Sequence, residues 1–215
     1  MIISHKHKFI FLKTTKTAGT SIEIGLSRFC GPDDVITRIS TEDEEIRNDL
    51  GYPGPQNIRR YLWRRGRYHN HMSAKDARRL VGRKTWNSYY KFCFERNPWD
   101  RVISYYYWKQ SKRKKRTLSE FIRSPALTRL RNRGYLIYTI RGIVAVDRLC
   151  RYEDLEEELE AVRTLVGIPD RIHLPHAKGK TRKDRKSYRE ILTEADAAII
   201  ADAFQDEINL MGYEW

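Results

Sequence analysis

Three cysteines, Cys30, Cys93 and Cys150, are all that this 215-residue chain carries, and no two of them form a Cys-x-x-Cys pair. An odd, widely spaced set argues against a disulfide framework and reads as free, buried thiols in a reducing compartment. Nowhere do 18 consecutive residues stay apolar, so no membrane-spanning helix is expected, and Met1-Ile-Ile-Ser-His-Lys-His-Lys lacks the apolar core of a signal peptide. The expectation is a cytoplasmic protein if the chain is complete; a domain cut from a longer membrane-anchored protein would read the same. Acidic residues are also short: 28 Asp and Glu face 42 Lys and Arg, a net charge of +14 that favours anionic ligands. A polyanionic substrate, a nucleotide cofactor and nucleic acid all satisfy that field. Internal repeats are absent. With 40% hydrophobic and 12% aromatic residues the chain suits one globular domain over residues 1–215.

The chain is organised around Phe9 to Glu23, Phe-Ile-Phe-Leu-Lys-Thr-Thr-Lys-Thr-Ala-Gly-Thr-Ser-Ile-Glu. Four apolar, β-prone residues, Phe9 to Leu12, predict a buried strand. A polar turn follows, then a helix beyond Gly19 with Ile22, Ile24, Leu26 and Phe29 as its apolar positions and the Gly31-Pro32 pair as its stop. The first N–H groups of a helix and its dipole make such a turn an anion site. Lys16 adds a charge and Thr17, Thr20 and Ser21 add hydroxyl donors, so the stretch reads as a phosphate cradle; an ordinary lysine-bearing turn is the plainer alternative. In a nucleotide-triphosphate P-loop the lysine directly follows the last glycine. Here Thr20 follows Gly19, and Lys16 comes three residues before it.

A second strand-to-helix passage lies at Tyr90 to Trp108. Phe92 to Phe94 predict a buried strand, Asn97 an N-cap and Pro98 the first residue of a helix running through Tyr107. Arg96 then stands at the strand's C-terminal end, beside the first loop if the two strands neighbour each other in a parallel sheet, where open α/β folds bind ligands. Between the two passages comes Tyr68-His69-Asn70-His71-Met72, followed by a helix from Ser73 to Val81 that Ser73 caps and Gly82 ends. Read as an extended segment, it points His69 and His71 into the same cleft, where one of them could act as a base. A His-x-His pair can also begin a metal site, but His5, His7, His173 and His176 show no metalloenzyme spacing to it, and no metal is expected.

The remaining segments read more plainly. Asp33 to Arg67 should be loop and short helix, closing on an arginine-aromatic run from Arg59 that could line an acidic acceptor, stack on bases or simply face solvent. Lys109 to Arg116 is a basic run, and Thr117 to Arg133 should be helical with a break at Pro125. Ile143-Val-Ala-Val-Asp147 predicts another buried strand whose terminal aspartate mimics a Walker B residue. Asp154 should cap a helix with Leu155, Leu159, Val162 and Val166 inward. His173 to Lys183 is a glycine-containing basic loop, with Lys178 and Lys180, able to fold over a nucleotide. One last helix should run from Thr193, with Asp196 as its capping partner, to Gly212.

Several of these stretches resemble sulfotransferases that use 3′-phosphoadenosine 5′-phosphosulfate (PAPS). Lys16-Thr-Ala-Gly-Thr-Ser21 resembles their 5′-phosphosulfate-binding loop in the P-K-T-G/A-G/S-T-S form of the carbohydrate and heparan-type branch, with Thr15 where that pattern usually has proline. Arg96-Asn-Pro-x-x-Arg-x-x-Ser104 is similar to their 3′-phosphate motif. His71 matches a histidine of that interval, with His69 as rival because heparan-type 2-O-sulfotransferases carry a similar His-x-His. Arg151-Tyr-Glu-Asp-Leu155, Tyr188-Arg-Glu-Ile191 and the Gly212-Tyr-Glu-Trp215 ending extend the likeness over nearly the whole chain. It implies a three-layer α/β/α domain with a central parallel sheet, akin to P-loop kinases, and in-line transfer of a sulfuryl group to an acceptor hydroxyl, leaving 3′-phosphoadenosine 5′-phosphate (PAP). It also implies the roles: Lys16 at the leaving phosphate; Thr17, Ala18, Gly19, Thr20 and Ser21 around the 5′-phosphate; Arg96 and Ser104 on the 3′-phosphate; Lys178 and Lys180 closing the pocket; His71 as base. A histidine titrating near the usual value of about 6.5 suits that role. The acceptor is unnamed, the basic surface favouring an anionic saccharide. Two rivals stay open: a small-molecule or nucleotide kinase with magnesium on Asp147, and a nucleic-acid-binding protein using the basic clusters. Against the latter, the phosphate-binding features sit at strand ends and not along one helix.

Overall fold

The computed structural model describes residues 1–60, 66–110, 116–175 and 186–215. Its centre is a five-stranded sheet in the order Val35–Ile36, Ile2–Ser4, Phe9–Phe11, Tyr90–Glu95, Arg148–Arg151. The last three are mutually parallel, Phe11 facing Phe92 and Phe94 facing Cys150. Ile2–Ser4 runs antiparallel to both of its neighbours, so four of the five strands share one direction. The central parallel sheet that the resemblance implied is present as a mostly parallel one. His5 to Lys8 form a tight turn, with Lys8 at φ 54°, and a connection that short can only return the chain antiparallel.

Alternation along the strands divides the core. Ile3, Ile10, Leu12 and Cys93 face one side and pack with Ala77, Leu80 and Trp86, from the helices Ala74–Val81 and Arg83–Ser88. Phe9, Phe11, Phe92 and Phe94 face the other, against Ile22 and Leu26 of the helix Gly19–Ser27 and Leu159 and Val162 of the helix Leu155–Leu165. A third apolar cluster gathers the helices Pro98–Gln110, Leu118–Ile122, Ala126–Asn132 and Glu194–Ala203 around Trp99, Ile103, Leu130 and Phe204. The architecture is mixed α/β, with helices on both sheet faces.

The helix starts follow their caps. Ser73 and Thr193 accept the N–H groups of Asp76 and Asp196, and Asn97 Oδ1 accepts those of Trp99 and Asp100. Asp154 occupies an N-cap position without a side-chain bond. Two segments depart from expectation. Ile143–Val144 joins Thr139–Ile140 in a separate hairpin turned by Arg141 and Gly142, both at positive φ, and leaves Ile143 72% exposed. The sheet strand is Arg148–Arg151 instead. The C-terminal helix breaks at Phe204, whose ring is buried in the third cluster while its backbone leaves the helical region at φ −116°, and a second helix runs Gln205–Met211.

Candidate active site

Strand Phe9–Phe11 delivers the chain into a loop from Leu12 to Ala18 in which Lys16 and Ala18 take left-handed φ values of 70° and 54°. Ile22 N–H to Ala18 carbonyl is the first helical bond, so the N–H groups of Gly19, Thr20 and Ser21 head the helix. Gly19 is required by a close approach: a Cβ there would lie 2.7 Å from Lys13 Cγ. Beneath the loop Lys13, 3% exposed, directs its ammonium to Glu23 Oε2 at 3.0 Å, while Glu23 Oε1 meets the Met1 amino group at 2.9 Å. Burial alone would raise the Glu23 carboxyl, but these two cations and their hydrogen bonds hold it at about 2.

Backbone anchors fix the loop. Thr15 N–H donates to the Arg133 carbonyl at 3.0 Å, and its own carbonyl accepts from Arg101 Nε at 2.9 Å. Arg101 is fully buried and also pairs with Glu95 at 2.6 Å. Arg96 donates to the Lys16 carbonyl at 3.0 Å and to Asp100 at 2.8 Å, its guanidinium stacked 4.1 Å over the Tyr152 ring. The two arginines of the second passage thus hold consecutive carbonyls of the first. Thr14 Oγ1 bonds Thr17 Oγ1 at 2.8 Å and donates to the Phe94 carbonyl, which links the loop to the neighbouring strand.

One cavity of about 1060 Å³ collects these parts. Lys16, Ala18, Gly19, Thr20, Ser21, His71, Arg96 and Ser104 all line it. Trp108 does too, with Lys16 Nζ 5.8 Å from its ring centroid. A more apolar lining comes from Tyr152, Leu155, Ile172, Leu174 and Tyr188. Around the loop the lining groups are donors and cations, which suits phosphate or sulfate oxygens. Thr17 is 1% exposed and serves the loop from within. Lys178 and Lys180 lie outside the described residues.

The histidines separate. Asn70 and His71 form a turn, His71 at φ 57°, so the extended geometry expected for His69 and His71 is corrected. His69 is exposed, and among the described residues its Nδ1 meets the Asn70 carbonyl, at 2.9 Å. His71 turns inward, its Nδ1 2.9 Å from the Lys13 carbonyl. A carbonyl only accepts, so Nδ1 carries the proton and Nε2 keeps its lone pair. Burial, and then the Lys13 charge, push the His71 imidazole down to about 3, against the ordinary value expected from the sequence. Asp147, the Walker B candidate, accepts Lys91 N–H at 2.7 Å and pairs with Lys91 Nζ at 2.8 Å, at the start of its strand and outside the cavity lining. Among the described residues no group of three His, Cys, Asp or Glu could hold a metal, and no helix is long and apolar enough to cross a membrane.

The family model of the sulfotransferase family matches residues 1–136, which carry the loop, His71, Arg96 and Ser104. The chain belongs to the sulfotransferase family. An uncharacterized protein of Archaeoglobus fulgidus is 35% identical over 124 residues, 56% of this chain and the whole of that protein. No solved structure matches. Set in the sulfotransferase frame, Lys13, Thr15, Arg101 and Arg133 are the site residues that sequence reasoning missed. Arg101 sits inside a recognised motif and could have been found by asking what its second arginine bonds; Lys13 and Arg133 act through carbonyls, for which a sequence carries no signal.

Proposed function

We propose that this sulfotransferase takes PAPS as donor and moves its sulfuryl group in line to an acceptor hydroxyl, an anionic saccharide being the acceptor class that the basic surface favours. The donor supplies a sulfuryl group already joined to a good leaving phosphate. The protein supplies position and charge. The N–H groups of Gly19 to Ser21, with the Thr20 and Ser21 hydroxyls, hold the 5′-phosphate, and Lys16 offsets the charge that grows on the leaving oxygen. Arg96 and Ser104 hold the 3′-phosphate; Arg96 has already spent part of its donor set on Asp100 and Lys16, so it meets the phosphate in a fixed orientation. Tyr152, Leu155 and Leu174 offer the adenine ring of the donor an apolar wall.

His71 Nε2 accepts the acceptor's proton. Burial and the Lys13 charge leave the imidazole weakly basic, and negative charge brought onto the loop offsets Lys13 and raises its affinity for a proton. The observation that carries the reading is that His71, the Lys16 loop and Arg96 line one cavity. Calorimetry of PAP against ATP with magnesium tests it: PAP should bind tightly without metal. Preferential binding of ATP, strengthened by magnesium, would instead support the kinase reading.

A further inference from the structure

We propose that Lys13 is a positioning residue for both halves of this reaction: its carbonyl orients the His71 base, and its ammonium, locked on Glu23 beneath Gly19, is a fixed charge felt by the imidazole and by any anion on the loop. Three contacts converge on this one residue. Nζ lies 3.0 Å from Glu23 Oε2, the carbonyl lies 2.9 Å from His71 Nδ1, and the stem lies so close under Gly19 that no side chain fits there. Lys13 also lines the cavity that holds Lys16 and His71. A lysine buried to 3% exposure is costly to desolvate, and a methionine would fill the same space without a counter-ion. Its charge therefore has a use beyond packing.

Burial opposes protonation of the imidazole most of all, then the Lys13 ammonium and, more weakly, the Met1 amino group; the bond to the Lys13 carbonyl and the Glu23 carboxylate favour it. His69 faces solvent on the other side of the turn. Since the carbonyl bond is made by the backbone, replacing the Lys13 side chain leaves the ring orientation and removes only the charge. The catalytic meaning of Lys13 depends on the sulfuryl transfer proposed above; its hold on the imidazole does not.

Two readouts separate these. Ring resonances of His71, followed by NMR without nucleotide from about pH 7 down to about pH 3, should begin to titrate only at the acid end in the wild type and in Lys13→Arg. In Lys13→Met the titration should move up by about one unit or more. A Lys13→Met curve that superimposes on the wild type would show that burial alone silences the ring, and would overturn the inference. If Lys13→Met fails to fold because Glu23 loses a partner, Lys13→Gln, whose amide can still donate to Glu23 but carries no charge, is read the same way. PAP affinity by calorimetry should fall about fivefold or more in Lys13→Met and hold in Lys13→Arg; an unchanged affinity would remove the loop half of the role. Failure of the wild type to bind PAP would instead sink the sulfuryl-transfer reading and leave the imidazole result standing.

Discussion

Thr15 is held on both sides, and replacing it by proline is the sharpest single test of what shapes the phosphate loop. Its N–H donates to Arg133 and its carbonyl accepts from Arg101. Proline has no N–H, so Thr15→Pro deletes the first bond and strands the Arg133 carbonyl. A buried backbone bond is worth about 1 kcal/mol net, and about 1–3 kcal/mol when its partner is left unsatisfied. Proline also restricts Thr14, whose hydroxyl ties the loop to Thr17 and to Phe94. A loss of about 1–2 kcal/mol predicts roughly 5- to 30-fold weaker PAP binding with a modest fall in melting temperature. Thr15→Ala is the control, because the buried Thr15 hydroxyl has no hydrogen-bond partner among the described residues and the alanine keeps the N–H; it should bind PAP like the wild type. The loops that this one resembles usually carry proline here, so mere likeness predicts no harm. Wild-type PAP affinity in Thr15→Pro would show that the Arg133 bond is incidental and that Arg101 alone sets the loop.

Four further outcomes follow from the site. Arg96→Ala should cost about 2 kcal/mol in PAP binding and abolish the preference for PAP over adenosine 5′-phosphosulfate; an unchanged ratio would remove Arg96 from the 3′-phosphate site. Lys16→Ala should lower turnover by roughly a hundredfold or more while PAP affinity drops only several-fold, and a chelator should leave the wild type active. His71→Ala should bind PAP normally yet lose most of its turnover, whereas His69→Ala should be nearly silent, since His69 faces solvent. Stability should also fall in acid: between about pH 6.5 and about 3 the unfolded chain takes up a proton that folded His71 refuses, at a cost approaching about 1.4 kcal/mol per pH unit. Urea unfolding of His71→Asn should lack that component from pH 7 to pH 5, and parallel pH profiles for the two proteins would refute it.

The strand-loop-helix passages were legible because each is written locally. Phe9 to Leu12 before Gly19, and Phe92 to Phe94 before Asn97-Pro98, state strand, cap and helix within a dozen residues, and the structure places both in neighbouring parallel strands. Ile143-Val-Ala-Val misled for the same local reason. Its hydrophobicity was strand-like, but the Arg141-Gly142 turn committed it to a hairpin, and the register of the sheet took Arg148–Arg151. The histidines failed on one dihedral: a period of two holds only in extended chain, and His71 at φ 57° reverses the direction of its side chain. Lys13 with Glu23, and Thr15 with Arg133, are invisible in sequence because their partners are set by packing across 10 and 118 positions.

Net charge explains less of this site than composition suggested. Of the cations lining the cavity, Lys13 is paired with Glu23, Arg96 with Asp100 and Arg171 with Glu156, while Arg133 carries no ion pair among the described residues. The +14 surplus sets a long-range field that salt screens. The proposed anion site is built from N–H groups at one helix start, and the loop that leads into it is braced by arginines spending donors on the Thr15 and Lys16 carbonyls. Charge is thereby converted into shape: the arginines raise the local potential less than a count of them implies, because carboxylates share them, but they fix where each remaining donor points. If PAPS is the donor as proposed, selectivity for a phosphosulfate over an arbitrary anion rests on the bracing of a few backbone bonds, and Thr15 and Lys13, neither of them prominent in the sequence, then matter as much as the basic clusters that are.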